Sequence, residues 1–159
     1  MVLKRKLIVL AALGALLATV VPAALATAPP GPAASFLVRG SAGHVDADNQ
    51  GVEVERERGN VDHAVASLTF EQGSSSGWHS HPGVVLVTVQ SGALQLLNRR
   101  CEKEVIETGE SFVEEGGTHL ARNIRSEDAV VYVTFIIPAN TPADGLSIPK
   151  QPPPGCDVT

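Results

Sequence analysis

Gly77-Trp78-His79-Ser80-His81-Pro82-Gly83, followed by the apolar run Val84 to Val89, is the stretch whose reading decides the fold. Two histidines one residue apart, entering a strand, place both imidazoles on one face, because side chains alternate with period two. A third histidine, His119, opens the segment His119-Leu120-Ala121-Arg122-Asn123. Three convergent imidazoles suit a divalent transition metal, and iron, manganese, zinc, copper and nickel all accept nitrogen ligands. With only three protein ligands, positions stay open for water or a small molecule, as in catalytic rather than closed structural sites.

Around this stretch the chain reads as short strands broken by turn residues about every ten positions. Strands are expected at Phe36 to Arg39, Val52 to Arg56, Val65 to Phe70, Val84 to Val89 and Ala93 to Leu97. Further strands are expected at Glu102 to Glu107, Ser111 to Val113, His119 to Ile124 and Ala129 to Ile137. Ala42 to Gln50, with His44, reads as a polar loop, and Ser91-Gly92 as a tight reversal. Val84 to Val89 is apolar at both parities, as for a strand buried on two faces. The segment Ala129 to Ile137 is the richest in β-branched and aromatic residues. Beyond residue 26 no sustained 3.6-residue period occurs, so the expected class is all-β, with short strands closing into one small barrel.

The ends have their own composition. Lys4-Arg5-Lys6, the apolar stretch Leu7 to Val21 and the ending Pro22-Ala23-Ala24-Leu25-Ala26 have the anatomy of a secretory signal peptide cleaved after Ala26. The alternative is an uncleaved anchor, since Leu7 to Leu25 just suffices to span a bilayer. Residues 27–35 read as a flexible leader, 36–138 as the barrel and 139–159 as a proline-rich tail, with six of the eleven prolines from Pro138 onward. Two cysteines, Cys101 and Cys156, are an even number in an exported chain, and one disulfide is expected to tie back the tail. In the loop-entropy picture such a bridge is worth roughly 4 kcal/mol.

Removing residues 1–26 takes three of the twelve basic residues and none of the seventeen acidic ones, leaving nine against seventeen. That balance argues against nucleic acid and against an anionic membrane surface, since phosphate neutralisation needs a basic patch. The expected location is extracytoplasmic. The expected partners are a small-molecule ligand and a second copy of the chain in a homodimer.

Parity counted from His79 puts His81, Gly83 and Val85 on one face, and parity from His119 adds Ala121 and Asn123. Ala121 is small and leaves room beside a metal. Val85, Leu86, Val87, Val89 and Phe112 suggest largely apolar walls. Trp78, the only tryptophan, adjoins the motif, but its parity is opposite to that of His79, which favours packing at the rim over a lid on the ligand. Asn123 either hydrogen-bonds near a ligand histidine or closes the turn before Ile124. His44 and His63 have no partner at ligand spacing and are expected at the surface. No catalytic residue is assigned.

The residues resemble a small single-domain cupin. The family's first motif, G-x5-H-x-H-x3,4-E-x6-G, is similar to His79-Ser80-His81 followed by Gly92. Its second, G-x5-P-x-G-x2-H-x3-N, is similar to Gly109, then Gly116-Gly117-Thr118-His119-Leu120-Ala121-Arg122-Asn123. The resemblance covers roughly residues 50 to 137. It implies a jelly-roll barrel with the metal inside, held by His79, His81 and His119, and either an oxygenase-like activity on a small chelating substrate or a non-catalytic binding module. Two departures stand out. The family's metal-binding glutamate falls at Val85, and Glu114 stands where the second motif has proline, with the glycine spacing one residue short. Glu114 and Glu115 are expected in a solvated turn rather than as replacement ligands. A neutral three-histidine set, as in the thiol dioxygenases of the family, would leave the metal its full charge and favour an anionic or bidentate oxygen ligand.

Overall fold

The computed structural model describes residues 29–55, 59–114 and 116–156. The signal peptide, the anchor alternative and residues 27 and 28 of the leader lie outside the described residues. Among the described residues no helix is long and apolar enough to cross a membrane.

Among the described residues twelve strands carry the architecture: β1 (Ala33–Gly43), β2 (Asp46–Asn49), β3 (Val52–Glu55), β4 (Val61–Phe70), β5 (His79–Ser80) and β6 (Val84–Ser91). They continue as β7 (Ala93–Leu97), β8 (Lys103–Glu107), β9 (Ser111–Glu114), β10 (Leu120–Arg122), β11 (Ala129–Pro138) and β12 (Ile148–Pro149). One 3-10 turn, Ala143–Gly145, precedes β12. The expected all-β class holds. A five-stranded sheet in the order β1-β4-β11-β6-β9 faces a three-stranded sheet, β10-β7-β8, while β12 pairs with β5 and β2 with β3.

The core lies between the two larger sheets. Along β11, Val131, Val133, Phe135 and Ile137 are buried on alternate positions, and along β6 Val85, Val87 and Val89 are. They meet Leu94, Ile106, Phe70 and Ala121 from the other elements. At about 1.5–3 kcal/mol per buried large aliphatic or aromatic side chain, this shared interior is what holds the sheets together. A second cluster of Trp78, Leu97, Leu120 and Cys156 packs at one end.

Several expectations change. β6 is apolar at both parities but buried on one face only: Val84 and Leu86 are exposed, so Leu86 is no cavity wall. The strand is central because β11 and β9 flank it, and its outer face meets solvent. The first strand begins at Ala33, inside the expected leader, because Ala33 to Phe36 pair with Thr69 to Ala66 of β4. The polar segment 42–50 ends β1 and forms β2, which pairs with β3 in an exposed hairpin; its polar residues need no buried face. The proline-rich tail, expected to be tied back by a disulfide, is docked through β12 as well as through Cys101 and Cys156, which lie at disulfide distance with Cα atoms 5.2 Å apart.

The reversal between β6 and β7 requires its glycine. Gly92 has φ +74°, and a Cβ there would stand 2.7 Å from the Asp128 carbonyl oxygen. Gly92→Ala is therefore expected to lose about 1–3 kcal/mol from backbone strain alone, with more from the clash, read as a lower urea midpoint at unchanged slope.

Candidate metal centre

The histidine pair enters the barrel through short, irregular pairing rather than a long strand. His79 exchanges both main-chain hydrogen bonds with His119, 2.9 Å from the His79 amide to the His119 carbonyl and 3.0 Å in reverse. That makes the two residues direct cross-strand neighbours, whose side chains stand side by side. His81 lies two residues on, just before the bend at Pro82-Gly83. Gly83 is pressed against β11: a Cβ there would fall 2.2 Å from the Ile136 carbonyl oxygen.

Each ring is fixed by its Nδ1. His79 Nδ1 donates to the Gly77 carbonyl at 3.0 Å, His81 Nδ1 to Leu146 at 2.5 Å and His119 Nδ1 to Gly117 at 3.2 Å. With Nδ1–H committed, the Nε2 lone pairs are left for a ligand, the usual tautomer logic of metal-binding histidines. All three Nε2 atoms point into one volume. His79 Nε2 and His81 Nε2 are 3.1 Å apart. Two lone pairs facing each other at that distance require a cation to share them, a proton or a metal. Donors held about 2.1 Å from a metal lie about 3.0 Å apart at right angles and about 3.4 Å apart tetrahedrally, so the spacing fits. His119 Nε2 is buried and has no hydrogen-bond partner among the described residues.

The fourth member is Glu114. Its Oε2 is 2.9 Å from His81 Nε2 and its Oε1 is 3.4 Å from His119 Nε2. Ligand atoms from His79, His81, Glu114 and His119 all lie within 4.8 Å of one another. Glu114 closes β9 directly opposite Val85 of β6.

Residues 66–141 match the family model described as Cupin domain. These residues form a cupin domain. Two solved structures agree on the fold. An uncharacterized conserved protein with a double-stranded β-helix domain from Klebsiella pneumoniae is 17% identical, with TM-score 0.51, covering 76% of this chain and 86% of the other. The DMSP lyase DddQ from Ruegeria pomeroyi is 14% identical, with TM-score 0.53, covering 77% of this chain and 53% of that one. A cupin domain from Bordetella pertussis is 21% identical, with TM-score 0.47, covering 69% and 97%. No curated protein matches the chain in sequence.

Within this cupin, the expectation for Glu114 is overturned. Its side chain is only 10% exposed and faces the histidines instead of a solvated turn. The reason is strand parity. β9 extends one residue further than expected, and Glu114 shares the inward face with Phe112, while Ser111 and Val113 point out. The carboxylate missing at position 85 is supplied across the ladder. Val85 is fully buried on the expected face and contributes packing, not ligation. Trp78 lies in the end cluster with Leu97, Leu120 and Cys156, away from the ligand volume as its parity implied. Asn123 is also elsewhere: its Nδ2 donates to the Phe70 and Glu127 carbonyls and its Oδ1 accepts from the Arg125 amide, which closes the turn. His44 and His63 are exposed. Period-two counting from Phe112, already read as an inward wall, was the signal that could have found Glu114.

Two cavities meet at the cluster. The inner one, about 210 Å³, is lined by Leu68, Phe70, Val87, Val131 and Phe135, with His79, His81 and Glu114 as its polar end. The outer one, about 590 Å³, is lined by Asn98, Arg99, Lys103, Glu104 and His119, and shares Phe112 and Glu114 with the first.

Burial lowers the pKa of His79 to about 4, despite help from the Gly77 carbonyl, so it is neutral at ordinary pH. Burial also opposes charge on His81, but the hydrogen bond and charge of Glu114, with the Leu146 carbonyl, outweigh it and raise its pKa. Glu114 is buried too, yet contacts from His119 and His81 pull it down to about 2. Without metal, the cluster therefore holds a proton on His81 against an ionised Glu114. A metal taking the His81 lone pair must displace that proton. Below the raised pKa of His81, apparent metal affinity should fall about tenfold per pH unit; His79 and Glu114 add competition only near pH 4 and pH 2. Calorimetry in buffers of different ionisation enthalpy should accordingly detect proton release in this range, and release that does not vary with pH would contradict the assignment.

The transposed carboxylate has its own test. Glu114→Gln should weaken metal binding at least tenfold, and Val85→Glu/Glu114→Val should recover most of the loss. A double variant no better than Glu114→Gln would show that the two positions do not serve the same volume.

Proposed function

We propose that this protein is an exported cupin that binds one divalent transition metal through His79, His81, Glu114 and His119. The observation that carries the reading is the convergence of three Nε2 lone pairs and one carboxylate on a single buried volume. The site differs from the neutral three-histidine set expected from the sequence, because Glu114 leaves a bound divalent ion with one net positive charge. Bound there, the ion supplies a Lewis acid and open coordination positions to an oxygen-bearing ligand. Imidazole and carboxylate together admit iron, manganese, zinc, copper and nickel.

The ligand class follows from the inner cavity. Its ionisable lining groups are the candidate ligands His79, His81 and Glu114, the hydroxyl of Ser76 is engaged with the Gly77 carbonyl and the Ala121 amide, and Ser147 is the other polar residue of an otherwise apolar lining. A ligand filling it has an apolar body and a chelating oxygen head. A dry cavity of about 150 Å³ holds benzene, so the volume here suits on the order of eight non-hydrogen atoms. Catalysis, on this reading, is dioxygen- or water-dependent chemistry on such a chelating substrate. Non-catalytic binding of the same ligand is the second reading. It is favoured by the fact that, with His81 and Glu114 engaged on the metal, the remaining inner wall is mostly hydrocarbon and offers no general base.

Export rests on the signal-like pattern of residues 1–26 and on the cysteine pair at disulfide distance. Two measurements test the proposal. Elemental analysis of protein purified from its host without chelator should give close to one metal per chain, and His79→Ala/His81→Ala should abolish it. Equal sub-stoichiometric metal in both would sink the metal reading. Metal-loaded protein should then bind hexanoate at least tenfold more tightly than acetate, since each buried methylene is worth about 0.8 kcal/mol. Oxygen consumption over thiols, phenols and diketones separates the two readings: turnover with any of them supports catalysis, and a flat trace throughout supports binding alone.

A further inference from the structure

The family match ends at residue 141, yet the chain that follows returns to the metal centre. After the 3-10 turn Ala143–Gly145, the Leu146 side chain is buried in the main core and its carbonyl accepts the His81 Nδ1 proton. Ser147 lines the inner cavity. Ile148 and Pro149 pair with Ser80 and His79, and the Lys150 amide donates to the Trp78 carbonyl at 2.8 Å. Cys156 is buried beside Trp78 and Leu97, at disulfide distance from Cys101, which follows β7. The segment is thus anchored at both ends and laid along the histidine strand between them.

The rings differ in what holds them. Gly77 and Gly117 each lie two residues before the histidine they fix, so His79 and His119 are oriented by their own local turns. His81 has no such local acceptor. Its partner is 65 residues away. We infer that the strap Leu146–Cys156 is the positioning element for His81, that the Leu146 carbonyl selects its Nδ1–H tautomer, and that a Cys101–Cys156 bridge keeps that carbonyl in place. The inference rests on the metal reading above. A neutral imidazole released from this acceptor populates both tautomers, and the one carrying Nε2–H cannot ligate. Outer partners of ligand histidines typically govern 10- to 100-fold of metal affinity.

The experiment compares the full chain in its oxidised form, after reduction with a phosphine, which does not strip metal as a dithiol would, and as Cys101→Ser/Cys156→Ser. The probes are cobalt(II) or zinc(II) affinity and long-range proton–nitrogen spectra of the imidazoles in the metal-free protein, taken above the raised pKa of His81 so that its ring is neutral. Breaking the bridge should weaken metal binding 10- to 100-fold, and His81 should lose its Nδ1-protonated signature while His79 keeps its own. If the bridge-free chain does not fold, Leu146→Ala retains the bridge and loosens the carbonyl's anchor, with the same two readouts expected. Affinity within about twofold of the oxidised protein in a folded, bridge-free chain overturns the inference. So does a joint change of both rings, which would mean general loosening. An oxidised protein that takes no metal fails the earlier reading instead, and the ring spectra still decide the strap.

Discussion

Three imidazoles can offer lone pairs to one point only if each has somewhere else to put its proton. Here each ring gives that proton to a main-chain carbonyl, of Gly77, Leu146 and Gly117. Main-chain acceptors are positioned by the fold and cannot rotate away as side chains can, so the tautomers of His79 and His119 are settled when the barrel closes and that of His81 when the strap docks. The rest follows from that constraint. His79 and His119 sit opposite each other on a two-way main-chain bridge, and Glu114 is brought in on the adjacent strand pair. The apolar core packs around the inner side of the cluster, at the cost of largely burying four ionisable groups.

That cost is met inside the cluster. Burial alone would push His79 and His81 toward neutrality and Glu114 toward protonation. The hydrogen bonds of His119 and His81 reverse the outcome for Glu114, and Glu114 reverses it for His81, leaving an internal ion pair. A buried pair of this kind adds little net stability by itself. It is readily converted into a ligand set, since the only group to be displaced is a proton.

Much of this architecture was legible in the chain. Turn residues at regular intervals and β-branched runs such as Val130 to Ile137 gave the class and most strands, and the motif residues His79, His81 and His119 do converge. What escaped has a physical cause in each case. The two ends of β1 and the whole of β2 are exposed, so no alternation of burial marks them in the sequence. Val84 and Leu86 are apolar on a solvent-facing surface, which made a one-sided strand read as two-sided. The strap was seen as a proline-rich tail tied back by a disulfide, and its path along the histidine strand escaped because that pairing is made by main-chain hydrogen bonds, to which composition is blind. Glu114 was lost by ending β9 one residue early, which removed it from the face it shares with Phe112.

The pairing of Val85 with Glu114 bears on how such sites are looked for. A signature written along the chain asks for a carboxylate four residues after His81, and by that criterion this centre is incomplete. The sheet does not distinguish the two places: residues opposite each other on neighbouring strands present their side chains to the same few ångströms of space. A coordination sphere in a barrel is therefore a pattern in two dimensions, one running along a strand and one across the hydrogen bonds. Sequences dismissed for lacking the glutamate in the first motif should be reread for an acidic residue at its cross-strand partner, just before the glycines of the second.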